Sequence, residues 1–254
     1  MSDILTNTDT GVMTVTLNRV DKKNAITTAM YAAMADTLHE AANDASIRVL
    51  VFQGHESIFC AGNDLGDFLK SPPTREDTPV FRFLQGLAKF PKPMLAGVSG
   101  AAVGVGTTML LHCDLVYAGD NAVFSLPFVN LGICPEAGSS LLLPQMAGYH
   151  RAAEALLLGE PFKADAALAM GLVNRVVPAA EVNPLVQTQA RKLAGKPMSS
   201  LLETKRLMRK AQASLVAQQM ADEGATFSRM LHEPAAREAL TAFMEKRKPD
   251  FSRF

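Results

Sequence analysis

Hydrophobic positions change their period along the chain, and the changes mark its elements. In Val12–Leu17, Met13, Val15 and Leu17 alternate with Thr14 and Thr16, a period of two that predicts a strand. Residues 4–8 form a similar run on the other side of Asp9-Thr10-Gly11, so the two read as a hairpin. Over residues 24–43 the spacing lengthens: Ile26, Met30, Met34, Leu38 and Ala41 recur at helical intervals and predict an amphipathic helix. Val49-Leu50-Val51-Phe52 is a short, unbroken apolar strand that Gly54 ends. A second helix places Pro79 in its first turn behind Asp77 or Thr78 as cap, with Phe81, Leu84 and Leu87 on its apolar face. Met94–Val98 reads as the next strand, residues 105–112 as a buried, nearly all-apolar helix, and residues 115–117 and 122–125 as strands about the turn Gly119-Asp120-Asn121. A helix is expected to begin near Ala137, with Glu136 at or just before its first turn and Pro144 as a kink point. Helices over 150–158 and 163–170 precede a last strand over 172–177, and from about Asn183 the pattern is helical, over 185–193, 199–213, 216–231 and 235–247.

Two strand-to-turn junctions stand out. Ile58-Phe59-Cys60-Ala61-Gly62-Asn63-Asp64-Leu65 and the glycine-rich stretch from Gly97 to Gly106 each follow an apolar run and end in small residues that let the backbone turn sharply. Brought together, two such turns aim two backbone N–H groups at one oxygen, which is how an oxyanion is held without a charged side chain.

Composition narrows the function classes. At 254 residues, 48% hydrophobic and 20% charged, the chain is long and apolar enough for one substantial core or a core with a smaller appendage. Lys plus Arg and Asp plus Glu are 25 each, so no global basic field draws it to nucleic acid or a membrane surface, and the low net charge does little to oppose self-association. Neither a signal-peptide pattern nor an apolar run of membrane-spanning length is present, so a soluble, cytoplasmic protein without membrane contacts is expected. Cys60, Cys113 and Cys134 are odd in number, widely spaced and set in apolar sequence, which reads as core thiols rather than disulfides or a zinc site. Gly104-Val105-Gly106 lacks the third glycine of a dinucleotide fingerprint, with Met109 in its place, and His55-Glu56 continues as Ser57-Ile58-Phe59 rather than as a zinc motif. The five histidines have no ligand spacing, and no metal is expected.

Leu17-Asn18-Arg19 with Asn24-Ala25, then Phe-Cys-Ala-Gly-Asn-Asp-Leu at 59–65, Lys92-Pro93 with the glycine turn, and Cys113-Asp114-Leu115-Val116-Tyr117-Ala118 together resemble the enoyl-CoA hydratase/isomerase (crotonase) superfamily. The match continues through 124–138 and 169–173 to Ala242-Phe243-Met244-Glu245-Lys246-Arg247-Lys248, essentially the whole chain in order. The resemblance implies an α/β fold, a crotonase-type (ClpP-like) spiral of strand–strand–helix (ββα) units over residues 1–195, and a C-terminal helical trimerisation region over 196–254. It implies acyl-CoA thioester substrates bound at Ala61, Gly62, Asn63, Asp64 and Leu65, and a homotrimer or a hexamer built as a dimer of trimers. Oxyanion-hole N–H groups fall at Asn63 and Val105, and Phe227 and Lys246 match positions that meet the nucleotide end of CoA, often from a neighbouring subunit. No separate cofactor is implied, because coenzyme A arrives as part of the substrate.

One departure from the hydratase pattern directs the functional reading. The two glutamates with which hydratases activate water align with Thr108 and Phe128, and neither can act as a base. A single carboxylate stands instead at Glu136 in Cys134-Pro135-Glu136-Ala137-Gly138-Ser139-Ser140, which resembles the Δ3,Δ2-enoyl-CoA isomerase branch. The expectation is therefore conversion of 3-enoyl-CoA to 2-trans-enoyl-CoA through a thioester enolate, with Glu136 moving the proton. The alternatives are hydration or another crotonase-fold lyase or hydrolase reaction with Asp64 assisting, and a non-catalytic trimer that binds acyl-CoA or a protein. Taken locally, Glu136 could instead serve only as an electrostatic cap for the helix that follows it.

Overall fold

The chain opens with the expected hairpin, β1 (Ile4–Asp9) paired antiparallel with β2 (Val12–Leu17), in a computed structural model that describes residues 2–70 and 78–254. Thr10 and Gly11 both take positive φ, 50° and 77°, the two-residue turn whose twist matches paired strands. Helix α1 (Thr28–Asn43) begins later than the apolar spacing indicates. Thr27 is extended and its side chain accepts from the Met30 N–H, which makes it the N-cap. Asn24 is left-handed, φ 55°, and fully buried; its amide accepts from the Arg19 N–H and donates to the carbonyls of Ile58 and Phe59, binding this loop to the strand that carries the first catalytic-type turn.

The strands then alternate between two sheets. β3 (Val49–Gln53), β5 (Met94–Val98), β7 (Leu115–Gly119) and β10 (Arg175–Val177) extend the hairpin into a six-stranded sheet, parallel from β2 onward. β4 (Ile58–Cys60), β6 (Ala101–Val103), β8 (Val123–Ser125) and β9 (Phe162–Lys163) form the second sheet in that order. Helices α2 (Leu65–Lys70) and α3 (Pro79–Lys89) follow β4, α4 (Val105–Thr108) follows β6, and α5 (Ser139–Ala147) comes after β8, so the expected spiral of ββα units is the arrangement observed. The large sheet is covered on both faces, which is why β3 is a continuous apolar run. Val49 and Val51 pack with Val182, Val186 and Ala190 of α8 (Val182–Ala194), whereas Leu50 and Phe52 face the main core with Met34, Leu38 and Phe83.

Beyond the start of α1, three expected boundaries move. The helix over 105–112 is one turn of α4 followed by a 3-10 turn, Met109–His112. The strand over 172–177 shortens to β10, because the N–H groups of Leu172 and Val173 turn back to the Ala167 carbonyl beyond α7 (Ala164–Ala169). Helix α5 starts at Ser139, after two consecutive left-handed residues, Ala137 at φ 60° and Gly138 at φ 71°, and Pro144 lies within it. Between α5 and α7, α6 (Tyr149–Ala153) runs into a π-helical turn, Glu154–Leu158. Of the residues expected to cap α3, Asp77 lies outside the described residues, and Thr78 occupies the cap position without bonding the helix through its side chain.

The chain ends in α9 (Met198–Lys210), α10 (Ala213–Met230) and α11 (Pro234–Met244). The buried Lys205 of α9 anchors this group, its Nζ donating to the Lys92 carbonyl at 2.6 Å and to Asp114 Oδ2 at 2.7 Å. Among the described residues no helix is long and apolar enough to cross a membrane, and all three cysteines are free.

Candidate active site

Parallel pairing of β4 with β6 places Cys60 opposite Ala102, so the residues that follow each strand leave the sheet side by side. Gly62 (φ +89°) and Gly104 (φ +54°) then turn both segments the same way. A Cβ on Gly62 would meet the Val103 carbonyl oxygen at 3.1 Å, and one on Gly106 would meet the Cys60 side chain at 2.8 Å, so the two turns approach too closely for larger residues. The N–H groups of Asn63 and Val105, expected as a pair, have no hydrogen-bond partner among the described residues. Both residues line a cavity of about 320 Å³, with Ala61, Gly62, Leu65, Gly104 and Phe128. Two donors without protein partners among the described residues, lining one cavity, are available to a ligand, which makes this cavity a site for an acceptor oxygen.

The Asn63 peptide is held on both sides. Ile26 N–H donates to the Gly62 carbonyl at 2.8 Å, Asp64 N–H donates to the Ile26 carbonyl at 2.9 Å, and the Tyr31 hydroxyl donates to Asn63 Oδ1 at 2.5 Å. Asp64, expected beside the substrate, does not line the cavity. Its carboxylate accepts from Arg19 Nη1 at 2.8 Å and from the Asp67 N–H at 3.1 Å, so it caps α2, and its hydrogen bond to Arg19 holds its pKa below the usual carboxylate value.

Glu136 is 8% exposed, with an Oε1 that is buried and has no partner among the described residues. Burial pushes its carboxyl up to about 7; the Glu223 carboxylate adds to that effect, and the Thr108 hydroxyl works against it. The backbone around it is fixed: Ser139 bonds the Glu136 carbonyl through both N–H and hydroxyl, and His112 Nε2–H donates to the Ala137 carbonyl at 2.7 Å. Burial lowers the His112 pKa to about 4, so the ring is neutral near pH 7, and its carbonyl partner places the remaining proton on Nε2. Glu136 does not cap α5. That position is served by Glu223 from α10, which accepts the N–H groups of Gly138 and Ser140 at 2.6 and 3.0 Å.

Glu136 and Ala137 form the inner wall of a second, larger cavity of about 1320 Å³ between α3 and α10. Phe68 and Phe227 line both cavities, which adjoin at these two rings, and the rings meet edge to face with centroids 6.2 Å apart. Phe227 is thus placed at the junction of the two cavities of this chain. Lys246, the other residue expected near the nucleotide, is exposed beyond α11 with φ 54° and lines neither cavity. Thr108 and Phe128 supply a hydroxyl and an apolar ring where two further carboxylates would otherwise stand; Glu203, the other acid along the large cavity, is exposed and paired with Arg206. Two unpartnered N–H groups lining one cavity, and an acid poised near neutrality lining the cavity that adjoins it, are the groups needed to make and reprotonate an enolate.

Residues 7–253 match the family described as enoyl-CoA hydratase/isomerase. Among individual proteins, the chain is 35% identical to 1,2-epoxyphenylacetyl-CoA isomerase of Escherichia coli K12, with 99% of each chain covered. It is 39% identical to enoyl-CoA delta isomerase 2 of Rattus norvegicus over 82% of this chain and 54% of that protein. The solved structure of Pseudomonas aeruginosa OdaA superposes with a TM-score of 0.93 at 46% identity, covering 96% of this chain and 99% of the other.

Proposed function

The chain belongs to the enoyl-CoA hydratase/isomerase family, with the crotonase fold, and on that premise we propose that it moves the double bond of a 3-enoyl-CoA to the 2-trans position. The observation that carries this reading is the buried carboxyl of Glu136, set near neutrality, with an oxygen that has no partner among the described residues, lining a large, mostly apolar cavity. The thioester oxygen occupies the small cavity between the N–H groups of Asn63 and Val105. Glu136 takes a proton from C2, the electron pair delocalises from C2 onto the thioester oxygen and across C3 to C4, and the same carboxyl returns the proton at C4. The C3–C4 double bond becomes a C2–C3 double bond, and no water enters.

Near-neutral acidity suits a group that must be base in one step and acid in the next, and positioned proton transfer of this kind is worth about 10²–10⁴-fold. Each backbone donor at an oxyanion contributes on the order of 3 kcal/mol to the barrier. Hydration would need a second carboxylate to activate water, and the side chains at 108 and 128 do not provide one. Beyond C4 the acyl chain continues past Phe68 and Phe227 into the large cavity, so medium and long chains fit as well as short ones.

Turnover of a panel of 3-enoyl- and 2-enoyl-CoA thioesters of graded length tests the reading. Isomerisation of the 3-enoyl series with no hydration of the 2-enoyl series is the expected result. Efficient hydration of 2-enoyl-CoA would replace this reading with the hydratase one, and tight binding of both series without turnover would replace it with a binding role.

A further inference from the structure

Tyr31 belongs to no sequence motif of the site, yet its hydroxyl is the group that touches the Asn63 side chain. The ring is fully enclosed in the core, 2% exposed, and leans against Phe83 with centroids 5.6 Å apart. Its O–H donates to Asn63 Oδ1 at 2.5 Å, at a residue that lines the small cavity and whose backbone N–H has no partner among the described residues. Helix α1, which carries Tyr31, is itself fixed to the segment after the turn, because the N–H and hydroxyl of Thr28 both donate to Asp67 Oδ2, at 2.6 and 2.7 Å. Ile26, just before the helix, bonds the peptides on either side of Asn63. The turn from Gly62 to Asp64 is therefore held at three points, two through the backbone of Ile26 just before α1 and one through the Tyr31 hydroxyl of α1.

We propose that Tyr31 is a positioning residue for the oxyanion site: by holding the Asn63 side chain it fixes the direction of the Asn63 backbone N–H. The proposal rests on the isomerase reading for its kinetic consequence but not for its geometry. Burial, and after it the neighbouring Glu136 carboxyl and Cys60 thiol, hold the Tyr31 pKa well above its ordinary value, so the phenol remains a donor throughout the working pH range. Fixed donors need no reorganisation as charge develops, and a small misalignment lowers the rate without weakening ground-state binding.

The experiment combines Tyr31→Phe and Asn63→Ala with their double variant, reading kcat, KM and Tm together with the infrared carbonyl stretch of a bound saturated acyl-CoA labelled with ¹³C at the thioester carbonyl. In the wild type the stretch should move to lower frequency on binding, whichever reaction of the family the protein catalyses. Tyr31→Phe should reduce that displacement and lower kcat by about 5-fold to 100-fold, with KM within about 2-fold. Asn63→Ala keeps the backbone N–H and should do the same, and the double variant should lose no more than either single one, because both remove one hydrogen bond. An unchanged carbonyl stretch in Tyr31→Phe, or losses that multiply in the double variant, would overturn the proposal. A normal wild-type carbonyl displacement without isomerisation would instead count against the reaction assigned above and leave Tyr31 open to the same spectroscopic test; should Tyr31→Phe fail to fold, Asn63→Ala removes the same bond from its other end and decides the matter alone.

Discussion

Ser140 gives both its backbone N–H, at 3.0 Å, and its hydroxyl to the carboxylate of Glu223. The contact joins the first turn of α5 to a helix 83 residues further along the chain. It satisfies the helix N-terminus that Glu136 would otherwise cap, and it sets a second buried acid beside the first. Because like charge disfavours ionisation, Glu223 raises the pKa of Glu136, and removing the charge should lower it. Glu223→Gln is therefore expected to move the acidic limb of the kcat/KM profile to lower pH, since the base is freed earlier as pH rises. It should also lower Tm through the weaker cap, by the roughly 1–3 kcal/mol of a charged hydrogen bond. A pH series from 5 to about 9 on both proteins measures the shift, and an unmoved limb would show that Glu136 does not sense this carboxylate.

Glu136→Gln separates proton transfer from capping. The variant should retain acyl-CoA affinity, lose at least about 10²-fold in kcat, and lose deuterium exchange at C2 in D₂O. Stability should move the other way. The folded protein holds the Glu136 proton up to about 7, against 4.5 for an ordinary glutamate, so this group's contribution is full below about pH 4.5 and is lost as pH rises through 7. The gap corresponds to on the order of 3 kcal/mol of ionisation strain at alkaline pH, which a neutral amide does not carry. Thermal melts should show Glu136→Gln more stable than wild type at pH 8 and little different at pH 4. A variant less stable at pH 8 with isomerisation intact would restore the capping role.

How much of this was legible in the sequence depends on how local the cause is. The hairpin at Thr10-Gly11, the doubly covered strand Val49–Gln53 and the Pro79 helix start follow from patterns a few residues wide, and each appears where those patterns place it. The start of α5 was not legible, because the left-handed pair Ala137-Gly138 depends on contacts with His112 and Glu223 that no local pattern encodes. The spacing of the catalytic-type turns was visible in the small residues, but the partners that hold them were not. Tyr31 occupies an apolar position of an amphipathic helix and reads as core, which it is; its second role lies in one hydroxyl directed at a residue 32 positions away. Asp64 shows the converse, a charged residue within a functional motif whose charge is consumed by Arg19 and a helix cap.

Gly62 tests the turn directly. At φ +89°, with the Val103 carbonyl 3.1 Å from where a Cβ would sit, any L side chain both strains the backbone and presses the two turns apart. Gly62→Val should lower kcat by at least about 10²-fold, as loss of one oxyanion donor does, and reduce the carbonyl displacement of bound acyl-CoA. A crystal structure of the variant with acyl-CoA seated normally, together with an unchanged kcat, would remove the oxyanion site from this turn.

Lys246 lies outside both cavities, so any contact it makes with CoA is an exposed one between its ammonium and a phosphate. Exposed charge pairs are worth about 0–1 kcal/mol and weaken with salt. Lys246→Ala is accordingly expected to raise KM for CoA thioesters by no more than about 5-fold at low ionic strength, with the difference disappearing in high salt and kcat unchanged. Equal KM values for the two proteins at low salt would withdraw Lys246 from the substrate site.

The large cavity makes the last prediction, about chain length. Along α10 its wall is built from Ala213, Val216, Ala217, Met220 and Ala221, mostly small side chains on one face. A rise of about 1.5 Å per residue places Ala217 roughly 15 Å along the helix from Phe227, beyond the reach of a short acyl group whose thioester lies in the small cavity. Ala217→Phe would therefore fill the part of the cavity that only longer chains enter. The variant should keep wild-type kcat and KM for a four- or six-carbon 3-enoyl-CoA and lose at least about 10-fold in kcat/KM for long ones, the discrimination a hydrophobic pocket gives for a few methylenes. Because Ala217 is exposed, added bulk there does not overpack the core, so Tm should stay near the wild-type value. Equal losses for short and long substrates would mean that α10 has shifted as a whole, and no loss for either would place the acyl chain somewhere other than between α3 and α10.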